Sequence, residues 1–348
     1  MTDVRRHGGA LRWAVIVMGA ILIGLALTVA GLSIWGRLHP KAPYDATANI
    51  NVSLTRPDGW RKIVDKPVVA EGDMAMISGS TATIPITAEL FRQFYDYSDD
   101  QVRESKTIWH STTDIAYEEL VERRPRDPFA DGSASQTPVS LILVTPPSPA
   151  EQKMGSDKGV EFHLTPVALD GFVFITHRDN PIDSLSLDQI RGVYSGVITN
   201  WSQLGGLDAP ITAYQREAGS GSQTAMETLV MDGMAMVEPV ATKVYGMGGL
   251  VRQVSEYQNG PSSIGYTYNY YINNLYRSND IKVITIDGIP PTDENLISRR
   301  YPLTTSYYAV TRADEPADSP ASTLRDFLAG PTGQEVIELA GYCKVGSR

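Results

Sequence analysis

Cysteine is almost missing from this chain: Cys343 is the only one in 348 residues. A lone thiol excludes an internal disulfide and a cysteine-built zinc site. Histidine is scarce as well. His7, His39, His110, His163 and His177 show no H-x-x-H or H-E-x-x-H spacing, so no metal site is expected and no cofactor is implied. Positive charge is in deficit, with 30 Lys and Arg against 40 Asp and Glu and a formal net charge of −10. That balance argues against a nucleic-acid partner, which calls for basic patches. It also gives no long-range attraction for anions. If this chain binds one, local dipoles and a single Arg must do it at close range. No internal repeat is visible.

What is present begins with an apolar run. Residues Trp13 to Trp35 contain no charged side chain, and a helix of that length covers about 34 Å, enough for a bilayer core. Arg5, Arg6 and Arg12 precede the run, so the positive-inside rule puts residues 1–12 in the cytoplasm and the rest outside. The competing reading is a cleaved signal peptide, but the run is longer than a usual signal core. No cysteine stands directly after it, which excludes a lipid-modified N-terminus. The expected location is the cell membrane, single-pass, with the C-terminal domain outside and the helix held in membrane lipid. Residues 36–65 read as a linker with no clear periodicity.

From Lys66 onward, short apolar runs alternate with helical patterns, the signature of an α/β fold. Val139 to Thr145, Gly171 to His177, Ile281 to Ile286 and Tyr307 to Val310 read as strands. Helices are expected over Ile86 to Tyr97, Leu187 to Tyr194 and Gln334 to Leu339. Ser186 and Gln189 form a capping box at the start of the second of these. Arg124 to Pro138 is a polar excursion. The tyrosines at 266, 268 and 270 alternate as on one face of a strand. Trp201 reads as packing beneath a loop, and Cys343 as a small buried residue.

Three hydroxyl-rich loops precede helices. The strongest is Arg216-Glu217-Ala218-Gly219-Ser220-Gly221-Ser222, followed by a segment with Ala225, Leu229 and Val230 on its apolar side. A helix start leaves unpaired N–H groups and a partial positive charge. Gly219 and Gly221 let the backbone approach a ligand, while Arg216 offers a planar fork for two oxygens. A plain helix cap, with Arg216 in a surface ion pair, remains an equal reading of that loop alone. The second loop is Ser78-Gly79-Ser80-Thr81-Ala82-Thr83. The third runs from Ser111 through Thr112 to Asp114, where Ser111 and Asp114 fit a capping box. Ser220 lies outside a G-x-S-x-G elbow, which disfavours a serine hydrolase, and the lack of metal ligands disfavours a phosphatase.

The stretch from Pro166 to Gly206, including G-x-I-T-N-W-x-x-L-G-G at Gly196 to Gly206, resembles the phosphate-binding proteins of phosphate ABC transporters. Further matches are REAGSGS at Arg216 to Ser222, SSIGY at Ser262 to Tyr266 and GPTGQEVIELAGY at Gly330 to Tyr342. The resemblance runs roughly from Val68 to Val345. It implies a two-lobe type II periplasmic binding protein fold of α/β class, behind the N-terminal transmembrane helix. Lobe one would combine residues 66–165 and 290–348, and lobe two would be residues 166–289. It further implies capture of phosphate or a related small oxyanion between the lobes, and delivery to ABC permease subunits. The ligand-binding positions it implies are Thr81 and Ala82; Ser111 or Thr112; and Arg216, Ser220, Gly221 and Ser222; Ser80, in the same hydroxyl-rich loop, is a further ligand-binding candidate. Thr145 falls where many phosphate binders carry an Asp that accepts the proton of phosphate. A membrane-tethered sensor or a structural module with an altered ligand are the alternatives to transport.

Overall fold

The computed structural model describes residue 54 and residues 59–105, 107–125, 137–238, 250–251, 253–254 and 260–346. Residues 1–12, the apolar run 13–35 and most of the expected linker 36–65 lie outside the described residues. Among the described residues, no helix is long and apolar enough to cross a membrane.

The strands are β1 (Met76–Gly79), β2 (Val139–Val144), β3 (Phe162–His177), β4 (Ser184–Leu185), β5 (Thr212–Ala213), β6 (Ser263–Tyr268), β7 (Ile281–Ile286), β8 (Thr304–Arg312) and β9 (Cys343–Lys344). The principal α-helices are α1 (Ile84–Tyr95), α2 (Asp99–Glu104), α3 (Thr113–Glu122), α4 (Pro149–Asp157), α5 (Leu187–Tyr194), α6 (Gly221–Ala225), α7 (Asp293–Ile297), α8 (Pro320–Ala329) and α9 (Pro331–Leu339).

β3 organises the molecule. Its first part, Phe162 to Gly171, pairs antiparallel with β8, and Ala168 and Leu169 also pair with β9. From Phe172 onward it pairs with β6 on one side and, from Phe174, with β7 on the other. One continuous strand therefore runs through two pairing neighbourhoods: β1-β2-β8-β3 before the change and β7-β3-β6-β5 after it. Pro166 cannot donate to a ladder, and the register shifts there, between Pro166 and Ala168, as a bulge would require. β2 lies between β1 and β8, and its residues are buried almost throughout. That double-sided burial is why VSLILV reads as an unbroken apolar run rather than an alternating one.

α1 starts two residues earlier than the sequence suggests, with Pro85 in its first turn, where a missing N–H costs nothing. It ends at Tyr95, not Tyr97, because Asp96 turns left-handed (φ 59°) and donates its N–H to the Arg92 carbonyl. Ile86, Leu90 and Phe94 join the main core, while Ile84, Ala88 and Phe91 pack in a second cluster with Leu54 and Trp109. The described end of the lead-in is tied to the same helix: Trp60 Nε1 donates to Glu89 (2.7 Å) and the Ile63 N–H to Gln93 (2.8 Å).

The capping box at Ser186 and Gln189 is present, opening α5. Strand β7 spans the expected six residues, and β8 extends the expected Tyr307–Val310 run at both ends. Trp201 is fully buried and donates to the Ser262 carbonyl (2.8 Å). Tyr266 and Tyr268 are buried on β6, and Tyr270, just past the strand, is buried too. Two expectations are corrected. Leu229 is exposed rather than on an apolar face, because the helix beyond Ala225 continues as a π-helical turn, Met226–Met231, which breaks the 3.6-residue period. Cys343 is only half-buried, since it sits in the two-residue strand β9.

Candidate functional site

β1 and β2 are parallel neighbours, with Gly79 opposite Leu143. Their C-terminal ends therefore leave the sheet at one edge and deliver Ser80 and Thr145 there. Gly79 is obligatory at that junction: a Cβ would lie 2.2 Å from the Leu143 carbonyl oxygen. The first loop folds back as a 3-10 turn, Thr81–Thr83, before α1. Its Thr83 hydroxyl sits between the carbonyls of Ser80 (2.9 Å) and Leu143 (2.7 Å). His110 fastens the same loop, with Nδ1 3.0 Å from the Ser80 carbonyl and Nε2 2.9 Å from the Thr87 hydroxyl. The Ala82 carbonyl accepts from the Tyr342 hydroxyl.

The loop 216–222 meets this edge. A Cβ on Gly221 would lie 2.6 Å from Thr145 Oγ1 and 2.8 Å from Thr113 Oγ1. Gly219 adopts a φ of +84°, and a Cβ there would lie 3.2 Å from Asp114 Cβ. Glycine is thus needed at both positions, at 219 for its backbone angle and at 221 for its space. Ser220 caps α6 by accepting from the Gln223 N–H (3.2 Å). The first-turn N–H groups of Gly221 and Ser222 have no carbonyl four residues back within the helix, and they start a helical run that continues through the π turn to Met231.

Arg216 is buried. Glu217 takes two edges of its guanidinium, with Nε to Oε2 at 3.0 Å and Nη2 to Oε1 at 2.8 Å, and Nη1 donates to Ser222 Oγ at 3.2 Å. The Arg216 N–H lies 3.0 Å from the Tyr266 hydroxyl and 3.2 Å from Gln223 Oε1. The arginine is therefore neither a lone anion receptor nor half of a surface pair. It is a buried fork aimed by its neighbour, and burial of such a charge demands a partner of this kind. Burial pushes the Tyr266 phenol up, against a smaller opposing effect of Arg216. Burial, then the Asp170 charge, does the same to Tyr268, so both remain hydroxyl donors.

Two hydroxyls at the meeting edge are buried without a hydrogen-bond partner: Ser80 Oγ and Thr145 Oγ1. Tyr268 lies close enough to Thr145 to sense it, but its proton goes to the Gly221 carbonyl (3.0 Å). An unsatisfied buried hydroxyl costs about 1–3 kcal/mol.

The third loop corrects one expectation. Ser111 does not cap a helix with Asp114. The N-cap is Thr112, without a side-chain cap bond. Ser111 Oγ instead donates to the buried Glu119 (2.9 Å), which also accepts from Ser78 Oγ (2.6 Å). A buried carboxylate with two hydroxyl donors outcompetes a solvent-side capping bond. Thr112 donates to Asp114. The hydroxyl that faces Gly221 belongs to Thr113, which sequence reasoning passed over. Its signal was local: in S-T-T-D, three successive hydroxyls leave the facing one undetermined until the helix start is fixed. Glu217 was missed as well, although it directly follows Arg216.

At the exchange of partners within β3 sits Asp170, buried and accepting from the N–H groups of Gly171 (2.7 Å) and Tyr270 (3.0 Å) and from the Tyr307 hydroxyl (3.1 Å). Burial pushes its carboxyl up to about 7, more strongly than these three donors pull it down, and Asp293 adds to the rise. A carboxyl raised in this way contributes stability in full below its ordinary range, and loses it as pH climbs through about 7. The thermal transition is expected to fall between pH 4 and pH 8, with Asp170 accounting for at most about 4 kcal/mol. Melting the wild type and Asp170→Asn across that interval checks it. Equal slopes for the two proteins would remove Asp170 as the cause.

Comparison with known proteins gives a consistent set. A family model described as PBP superfamily domain matches residues 76–329. The phosphate-binding protein PstS of Borreliella burgdorferi is 26% identical over 183 residues, covering 51% of this chain and 64% of that protein. PstS of Bacillus subtilis is 26% identical over 198 residues, 56% of this chain and 62% of that protein. The match thus spans less than two thirds of these relatives' length. Among solved structures, a putative phosphate ABC transporter substrate-binding protein from Clostridium perfringens, with bound phosphate, aligns at a TM-score of 0.58 and 24% identity. That alignment covers 78% of this chain and all of the other, which supports the fold.

Proposed function

Since the chain belongs to the PBP superfamily, we propose that it captures phosphate or a similar small oxyanion outside the cytoplasm and hands it to an ABC-type permease. The observation that carries this reading is the seat of Gly221. There a helix start, the Thr113 and Thr145 hydroxyls and the end of β2 converge within contact distance, with a buried, aimed Arg216 on the same loop. Helix-start N–H groups, hydroxyl donors and a guanidinium replace the hydration of an oxyanion without needing a positively charged surface. The relatives named above are binding proteins for phosphate, which supports phosphate as the solute.

The ten residues proposed to line the site do not all contribute in the same way. Arg216, Gly221, Ser222, Thr145 and Ser80 have atoms at or beside the meeting edge. Thr81 and Ala82 contribute the turn after β1. Ser220 shapes the helix start through its cap, and Ser111 and Thr112 support the loop that carries Thr113. Two lobes, residues 66–165 with 290–348 and residues 166–289, are supported by the exchange of partners along β3, although the exchange itself falls at Gly171–Phe172. Residues 13–35 would tether the protein to the membrane through lipid contact, leaving the lobes outside.

Thermal melting of the full-length chain in detergent tests the reading. Phosphate at a hundred times its Kd is expected to stabilise the fold by about 2.7 kcal/mol. No shift with either phosphate or sulfate would end it.

A further inference from the structure

Beside the proposed anion seat lies a cavity of about 190 Å³ that begins at Thr145 and Gly221 and is otherwise lined largely by carbon, with Pro146, Pro147, Ala225 and Leu229 among its walls. Thr145 and Gly221 thus belong to both places. The Thr145 hydroxyl is buried and unpartnered at their junction. An inorganic oxyanion needs a polar partner on every side, because each desolvated oxygen left unpaired is costly. On this side most of the wall is carbon, from Pro146, Pro147, Ala225 and Leu229, with hydroxyls only from Thr224, Thr228, Tyr268 and Thr305. The residue at the junction is a neutral hydroxyl, which can donate to an anionic oxygen and does not require the ligand to bring a proton.

The geometry points to a monosubstituted oxyanion, an alkyl phosphonate of the type R–PO₃, as a ligand of this protein, with its three oxygens on the Gly221–Ser222 N–H groups, Arg216 and Thr145 and its carbon chain in the cavity. This deepens the reading above and rests on it. At about 30 Å³ for each water-sized volume, the cavity accommodates a substituent of roughly six heavy atoms. Its outer end is open where Thr228 and Leu229 are exposed, so short chains enter fully and longer ones emerge. Replacing the fourth oxygen by carbon matches a wall that is mostly carbon, where Tyr268 and Thr228 already spend their hydroxyl protons on the Gly221 and Thr224 carbonyls. Each methylene buried there is expected to tighten binding by about two- to fourfold.

Calorimetry on the full-length chain in detergent, with inorganic phosphate and the methyl, ethyl and n-propyl phosphonates, tests this. Affinity should rise along the series from methyl to propyl. Ala225→Leu, which fills the cavity, should weaken propylphosphonate at least tenfold and leave inorganic phosphate within twofold. Thr228→Leu, at the exposed end, provides a second obstruction should Ala225→Leu fold poorly. If phosphate binds while affinity is flat or falls along the series, the inference is overturned and the oxyanion reading stands. If the series rises but neither folded variant separates propylphosphonate from phosphate, the chain sits elsewhere and the cavity assignment fails. If neither phosphate nor any phosphonate binds, both fall together.

Discussion

Replacing Arg216 with alanine is expected to weaken phosphate binding by about a hundred- to a thousandfold. Truncating one member of a buried, hydrogen-bonded charge pair costs about 2–5 kcal/mol, and two effects act together here. The guanidinium's hydrogen bonds to the anion are lost. Glu217, which now neutralises two edges of the fork, would be left as an uncompensated carboxylate beside a second negative charge. Arg216→Lys should recover only part of the loss, because an ammonium on a flexible stem cannot reproduce a planar fork that addresses Ser222, Glu217 and a ligand at once. Calorimetry measures the change, and a ligand-free melt confirms that the variant is folded. A loss below fivefold in a folded Arg216→Ala protein would place the guanidinium away from the anion.

Gly221→Val is expected to produce the opposite pattern from an ordinary core substitution: a large loss of ligand affinity with little loss of ligand-free stability. The added Cβ would lie 2.6 Å from one threonine hydroxyl and 2.8 Å from another, too close for either to remain where it is. Both contacts are made across the meeting edge, with residues at the start of α3 and the end of β2. A protein that opens there is relieved of the clash, whereas one that closes over a solute is not. Affinity should drop by at least about thirtyfold, since more than about 2 kcal/mol is at stake when packed atoms are forced apart. Small-angle scattering should show less compaction on adding saturating phosphate to the variant than to the wild type. Wild-type affinity in Gly221→Val would mean that the contact does not accompany binding.

The strands were easy to read where burial on both sides made them uniformly apolar, as at Val139–Val144, and where a short apolar run is closely bounded, as at Ile281–Ile286. The capping box at Ser186 was legible because its two bonds are local. Length was harder. β3 continues nine residues N-terminal of the run Gly171 to His177, through Pro166 and a half-exposed segment, because β8, far along the chain, supplies the partner that local pattern does not reveal. The loop 216–222 announced itself through glycine spacing, and the structure shows why: one glycine has a left-handed backbone and the other has no room for a side chain. The Ser111 reading failed for a non-local reason, since Glu119, eight residues on, recruits that hydroxyl. The cavity at Pro146 and Pro147 had no sequence signal at all, because its walls come from β2's exit, α6, Tyr268 and Thr305.

β3 also sets a timetable for biosynthesis. The partners of its second half, β6 and β7, are complete once residue 286 has emerged. The partner of its first half ends at Arg312, and β9 arrives only at Cys343 and Lys344. While the chain is being made, the middle of the molecule can finish its ladders first, and β2 waits with one edge bare for the C-terminal segment. A chain arrested shortly after residue 290 should therefore hold protected amides in β6 and β7 and a protease-sensitive β2, a half-built protein whose earliest strands are among the last to settle.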